Sequence, residues 1–327
     1  MSFVFRPGQR QALHLLISLA GGTGSGKSLS SLRIAKGIAG PTGRIAFIDT
    51  ENGRGLMYAD DFPMDYGELS EPFTPARYIE ALKAGAKTGA AVIILDSLSH
   101  IWTGTGGILE QQEDILQRMA GDDFKKREAC RMSSWIKPKT DHKKFVTALL
   151  QIPAHVICCF RASPKIEMVR KDGGGWEVRA KESLAGAQGW IPDAEKSLPF
   201  EMTASFLLLA ERPGVPIPIK LPQPLRSIFP LDQPITESCG EQLATWARGG
   251  IAALPTSTPA VDWIARIDAA QTLADLEGVG TALAAGKGAL SAPQLKKARA
   301  AWDARRKTLK KAGTAAPVRD GEIQWND

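Results

Sequence analysis

The chain has 327 residues, 43% hydrophobic and 23% charged, which excludes a disordered polyelectrolyte and fits one large domain with a smaller appendage. Its net charge of +6 permits a nucleic-acid partner without demanding one. The longest apolar runs, such as residues 91–95 and 206–210, are strand-length, so no membrane span is expected; residues 1–10 lack a secretory signal, and Cys130, Cys158, Cys159 and Cys239 show no paired spacing, which together point to a cytoplasmic protein.

In chain order, residues 13–19 read as an apolar strand entering a glycine-rich loop, and residues 28–38 continue as a helix. Residues 44–48 form a second strand ending in acidic residues. Residues 75–86 predict a helix with Thr74 as N-cap and Pro75 in the first turn. Residues 91–95 are a third strand ending at Asp96. Helices are expected over 107–119 and 141–150, strands over 155–160 and 205–210, and a proline-bearing edge strand over 215–220. This alternation predicts an α/β core, a mostly parallel sheet flanked by helices, over residues 1–248. Glycine, proline and serine mark a linker over 249–260. A small basic helical module follows over 261–311, and residues 312–327 read as a flexible tail. Adjacent Cys158 and Cys159 lie inside an apolar strand and are expected to be buried.

The loop is the most informative segment. Gly21-Gly-Thr-Gly-Ser-Gly-Lys-Ser28 fits the phosphate-binding P-loop pattern, with a strand before it and a helix after it. Glycines let backbone N–H groups close around phosphates, and the following helix adds the positive end of its dipole. The expected ATP-binding set is Gly21, Gly22, Thr23, Gly24, Ser25, Gly26, Lys27, Ser28 and Leu29. In it Lys27 meets the β- and γ-phosphates, and the Ser28 hydroxyl ligates Mg²⁺. Asp96, at the tip of an apolar strand, is the expected second metal residue, because a buried strand rarely carries a carboxylate without use. Glu51, just beyond the second strand, is either a turn residue or a general base that takes the proton of the attacking water.

Two segments resemble RecA: Phe47-Ile-Asp-Thr-Glu51 is similar to the stretch whose glutamate activates water, and Val92-Ile-Ile-Leu-Asp96-Ser97 to the magnesium strand. Three more resemble phage AAA-type ATPases of the Sak-four recombinase group: the run from Ile48 to Gly55, the run from Pro72 to Ile79, and Asp96-Ser-Leu-Ser-His-Ile-Trp-Thr-Gly-Thr-Gly-Gly107. The resemblance spans about residues 12–210. It implies a RecA-like P-loop ATPase core of phage or prophage origin, working in the bacterial host cytoplasm on single-stranded DNA in strand annealing or homologous recombination. It further implies a single-stranded DNA-binding protein as companion and a homo-oligomeric ring or filament. Arg161 falls where RecA has a glutamine that senses the γ-phosphate, so the resemblance gives it a sensor role, with a plain strand-end charge as the alternative. The chain departs from the group over residues 187–202.

Residues 165–181 alternate polar and apolar residues around Asp172-Gly173 and predict a β-hairpin. Lys165, Arg170, Lys171, Arg179 and Lys181 outnumber Glu167, Asp172 and Glu177, and Trp176 is placed to stack on a base. These residues are the DNA-binding candidates; a solvated hairpin with a half-buried tryptophan is the alternative. The last helix carries eight positive charges between Lys296 and Lys311 against Asp303 alone, either a phosphate grip or a solvated face. The four histidines show no metal spacing. A helicase loader, a packaging-type motor, a small-molecule kinase and a non-hydrolysing nucleotide switch remain the competing functions.

Overall fold

A computed structural model of the chain describes residues 12–170, 174–181, 183, 186–249, 263–285 and 292–311. The chain divides into two compact units, residues 1–252 and 253–327.

The first unit is built on a sheet that, among the described residues, has eight strands. The strands are β1 (Leu16–Gly21), β2 (Ile45–Asp49), β3 (Asp65–Glu68), β4 (Val92–Asp96), β5 (His155–Pro164), β8 (Trp190–Pro192), β9 (Ala204–Leu208) and β10 (Ile217–Lys220). Their order is β10-β9-β1-β5-β4-β2-β3, with β8 pairing antiparallel to the far end of β5. Every neighbouring pair from β9 to β3 is parallel. Strands β1, β2, β4 and β9 are buried along their whole length, as strands covered on both faces must be. The edge strand β10 runs antiparallel, and Pro218 is tolerated there because an edge leaves half of the backbone donors unpaired.

Helices cover both faces. On one side α2 (Pro75–Lys87) and α6 (Ile136–Gln151) bring Tyr78, Leu82, Phe145 and Leu149 against Leu16, Ile93, Leu95 and Val156. On the other, α1 (Lys27–Ala39) and α8 (Glu237–Ala247) pack with Ile17, Leu19, Phe47, Ile94 and Phe206. The α1–α8 crossing is close because it is made at glycine. A Cβ on Gly37 would lie 2.0 Å from the Glu237 carbonyl oxygen, and one on Gly240 would lie 2.2 Å from that of Ile34. Helix α2 starts as its sequence predicts, with Thr74 Oγ1 accepting from the Arg77 amide and Pro75 in the first turn.

Between β4 and β5 the chain makes α3 (His100–Thr103), α4 (Ile108–Ala120), α5 (Phe124–Ser134) and then α6. Helix α4 matches the expected 107–119 to within a residue. Helix α6 starts five residues before the expected 141. Helix α5 escapes a reading based on apolar periodicity because Phe124 and Met132 are both 78% exposed, so it has almost no buried stripe. Its start is still marked locally, by Asp123 accepting from the Lys126 amide at 3.0 Å.

Beyond β5 the chain makes the hairpin of β6 (Ile166–Arg170) and β7 (Trp176–Ala180). The short helix α7 (Leu198–Glu201) precedes β9.

The second unit holds α9 (Trp263–Ala269), α10 (Leu273–Ala285) and α11 (Ala292–Lys311) around Ile267, Leu276, Leu283, Ala298, Trp302 and Leu309. Trp302 Nε1 donates to the Leu276 carbonyl at 2.9 Å. Part of the basic run on α11 is structural: Arg305 donates to the Ala270 carbonyl, and the Arg306 guanidinium lies over Trp302 at 5.2 Å. Lys296, Lys297, Lys307 and Lys310 are exposed. Most of the expected linker and the tail over 312–327 fall outside the described residues. No helix among the described residues is long and apolar enough to cross a membrane.

Candidate active site

The sheet order decides which residues meet. Strand β5 is inserted between β1 and β4, with Gly21 level with Arg161 across one pairing and Asp96 level with Cys159 across the other. On the far side of β4, Asp96 is level with Asp49 of β2. The carboxyl ends of β1, β5, β4 and β2 therefore open on one crevice, the place where parallel α/β sheets bind ligands. A cleft of about 530 Å³ lies there, lined by Gly21–Ser28 of the loop, Glu51, Arg54, Tyr58, Asp96, Arg161, Ala162 and Asp193. That volume suits a nucleoside triphosphate.

The loop's glycines are required by contact and by conformation. A Cβ on Gly21 would lie 2.3 Å from the Leu208 carbonyl oxygen. Gly26 has φ +85° and would bring a Cβ within 2.8 Å of the Gly214 nitrogen. The Ser25 carbonyl accepts from the Gly214 amide at 2.9 Å, which ties the loop to the segment after β9. Lys27 Nζ donates to the carbonyls of Gly21 and Gly22 at 3.0 and 2.8 Å, so its charge lies inside the curl of the loop. The Leu29 side chain does not line the cleft; it packs against the core beneath α1.

Ser28 Oγ donates to Asp96 Oδ2 at 2.5 Å. Burial pushes the Asp96 carboxyl above its ordinary range, and the negative charges of Glu51 and Asp49 push the same way against Ser28 and Lys27. A cation beside Ser28 and Asp96 relieves that cost, and a hydroxyl with a carboxylate is the hard-oxygen donor pair that Mg²⁺ takes alongside phosphate and water. Among the described residues no three His, Cys, Asp or Glu gather into a protein-only metal cage. That agrees with an ion held largely by its substrate.

Glu51 sits on a turn that Asp49 organises. Asp49 is buried; its Oδ1 accepts from the Glu51 amide at 2.5 Å and its Oδ2 from the Gly55 amide at 2.8 Å. Asn52 and Gly53 turn the chain with φ of 56° and 81°. A Cβ on Gly55 would lie 2.4 Å from the Phe47 ring. Both Glu51 oxygens are engaged: Oε1 accepts from Arg161 Nε and Nη2 at 2.9 and 2.7 Å, and Oε2 from Arg54 Nη1 at 3.0 Å. Beneath it, Thr50 Oγ1 meets His100 Nδ1 at 2.8 Å and accepts from the Ser97 amide at 2.8 Å. The Asp96–Ser97 peptide is cis. Burial, with the nearby Arg161 charge, holds His100 below the usual imidazole range. A second polar cavity of about 480 Å³ adjoins the cleft and shares Glu51, Arg54 and Arg161 with it.

All the expected phosphate-side residues except the Leu29 side chain thus meet in one cleft with Glu51, Asp96 and Arg161. Arg54, Tyr58, Asp193 and Trp190 were not foreseen. Arg54 had a local signal, a charge three residues after Glu51. Asp193 and Trp190 had none, because they arrive through the antiparallel β8. Trp190 flanks the loop, its ring 3.4 Å from where a Cβ on Gly22 would lie.

The DNA-binding candidates divide between the two faces of the hairpin. Cross-strand register pairs Ile166 with Ala180, Met168 with Val178 and Arg170 with Trp176. Because side chains alternate, these share one face, where Ile166, Met168, Trp176 and Val178 are 57–69% exposed. Arg179 is on the other face, paired with Glu167 at 3.4 Å. The Lys181 amide donates to the Lys165 carbonyl at 2.9 Å, and the Lys165 ammonium lies 3.9 Å from Asp193. Trp176 is 65% exposed, so the half-buried alternative does not hold. Lys171 falls outside the described residues.

An AAA-domain family profile matches residues 14–185, more than half of the chain. No curated protein matches. Among solved structures, a KaiC-like protein from the hyperthermophilic archaeon Pyrococcus horikoshii OT3 is similar at 13% identity over 60% of this chain and 71% of its own, with a TM-score of 0.33. With the loop, its lysine and the strand-tip carboxylates assembled in one cleft, the family match makes this chain a member of the AAA-domain family of P-loop ATPases.

Proposed function

We propose that this protein is a magnesium-dependent ATPase that binds single-stranded DNA and promotes strand annealing or homologous recombination, working as a ring or filament. The observation that carries the ATPase part is the single cleft shared by the loop amides, Lys27, Ser28, Asp96 and Glu51. The loop amides and Lys27 hold the phosphates, and Ser28 with Asp96 would hold Mg²⁺. That ion, when bound, supplies charge neutralisation across the β- and γ-phosphates. Glu51 takes a proton from water as the water oxygen bonds to the γ-phosphorus. The bond to the β–γ bridging oxygen breaks, and ADP leaves with its electron pair.

The DNA part rests on how the hairpin is joined to the cleft. Strand β5 carries Arg161 into the cleft and runs on into β6, and Lys165 at the hairpin's foot pairs with cleft-lining Asp193. An exposed tryptophan beside Arg170 on one face is the combination that single-strand binders use, stacking with phosphate contact. A companion single-stranded DNA-binding protein fits the same reading.

The test is ATP turnover with and without single-stranded DNA across a salt series. We expect stimulation by DNA, with affinity falling steeply as salt rises. A rate indifferent to DNA, with no binding at low salt, would remove the recombination reading and leave an ATPase of another class, such as a helicase loader.

A further inference from the structure

Glu51 is the expected general base, yet neither of its oxygens is free. A carboxylate that accepts charged N–H donors at both oxygens is a weaker proton acceptor and has no lone pair left to orient water. The two donors differ in placement. Arg54 comes from the same turn as Glu51, three residues on, and keeps Oε2 occupied whatever happens in the cleft. Arg161 comes from β5, level with Gly21 of the loop, and spends two nitrogens on Oε1. Its side chain is 51% exposed against 14% for Glu51, so the arginine is the partner with freedom to move. A terminal phosphate in the cleft offers a competing set of anionic oxygens beside it, and the same N–H groups cannot serve both acceptors.

We propose that Arg161 exchanges partners, leaving Glu51 Oε1 for the terminal phosphate of a bound triphosphate, so that a triphosphate unlocks the base and a diphosphate does not. Arg54 stays on Oε2 and acts as a positioning residue that turns the vacated Oε1 toward the water. The exchange deepens the hydrolytic reading above, since it matters for turnover only if Glu51 is the base. It is nevertheless readable from binding alone.

The experiment is a double-mutant cycle on the full chain. Affinities for the imido analogue of ATP and for ADP, each with Mg²⁺, are measured in wild type, Glu51→Gln, Arg161→Ala and the double variant. In Glu51→Gln the arginine no longer has to be drawn from a carboxylate. The analogue should therefore bind about two- to fivefold tighter, the range set by a partly exposed ion pair, with ADP unchanged. In the Arg161→Ala background that gain should vanish. Bare repulsion between Glu51 and the phosphate would let the gain persist there, and that result overturns the exchange. Equal tightening for both nucleotides, or none, overturns it too. Arg161→Gln repeats the cycle with a side chain that retains hydrogen-bonding reach. Turnover of the same Glu51→Gln protein judges the underlying reading separately: hydrolysis at the wild-type rate removes Glu51 as base, whatever the cycle returns.

Discussion

Lys27 already spends its ammonium on two loop carbonyls, so phosphate binding trades those bonds for stronger, charge-assisted ones. Lys27→Ala should cost about 1.5–3 kcal/mol of nucleotide affinity, roughly 10- to 150-fold, by titration calorimetry. Unchanged affinity would mean that the loop amides alone hold the phosphates. A second residue-scale effect concerns stability. His155 Nδ1 accepts from the Leu15 amide at 3.1 Å and must be neutral there; burial, aided by His14 and Arg248, lowers its pKa to about 4. The unfolded chain takes up this proton near pH 6.5, so it binds more protons than the folded chain between about pH 6.5 and 4. Stability should thus fall with acidification across that window by roughly 2–3 kcal/mol, and then level off for this group. Urea melts of wild type and His155→Asn at pH 7 and 4.5 check this. The wild type should lose more on acidification, and parallel losses would exclude His155 as the cause.

At the scale of elements, the hairpin makes a prediction that its charge count alone does not. Trp176 and Arg170 share a face, while Arg179 is on the opposite one and already has a carboxylate partner. Trp176→Ala should weaken single-stranded DNA binding by about 1–3 kcal/mol without changing DNA-free ATPase. Arg179→Ala should do much less, because an exposed, already paired charge contributes little. Fluorescence-anisotropy titrations of both variants would sink the one-face arrangement if Arg179→Ala proved the more damaging. The hairpin was legible in the sequence, because a two-residue alternation around Asp-Gly is a local signal. Which charges share a face with the tryptophan was not, because a change of one residue in register reverses every assignment.

Across the whole molecule, the nucleotide cleft belongs to the first unit, and the second has its own small core around Trp302. Saturating Mg-ATP analogue, at about a hundred times its dissociation constant, adds roughly 2.7 kcal/mol to whatever unfolds with the cleft. Scanning calorimetry should therefore show that transition raised by roughly 5–10 °C, and Lys27→Ala should abolish the rise. A ligand shift that survives in Lys27→Ala would locate binding elsewhere.

The sequence by itself determined the phosphate loop, the strand-tip carboxylate Asp96, the acidic turn at Glu51 and the α/β alternation of the core. All of these are written in short windows, where glycine conformation, apolar periodicity and the cost of a buried charge act between near neighbours. Tertiary structure alone decided that β5 lies between β1 and β4, that Arg161 reaches across 110 residues to Glu51, and that Asp193 joins the cleft to the hairpin's foot. Those contacts depend on strand order and on side chains distant in the chain arriving together, and no local propensity encodes that.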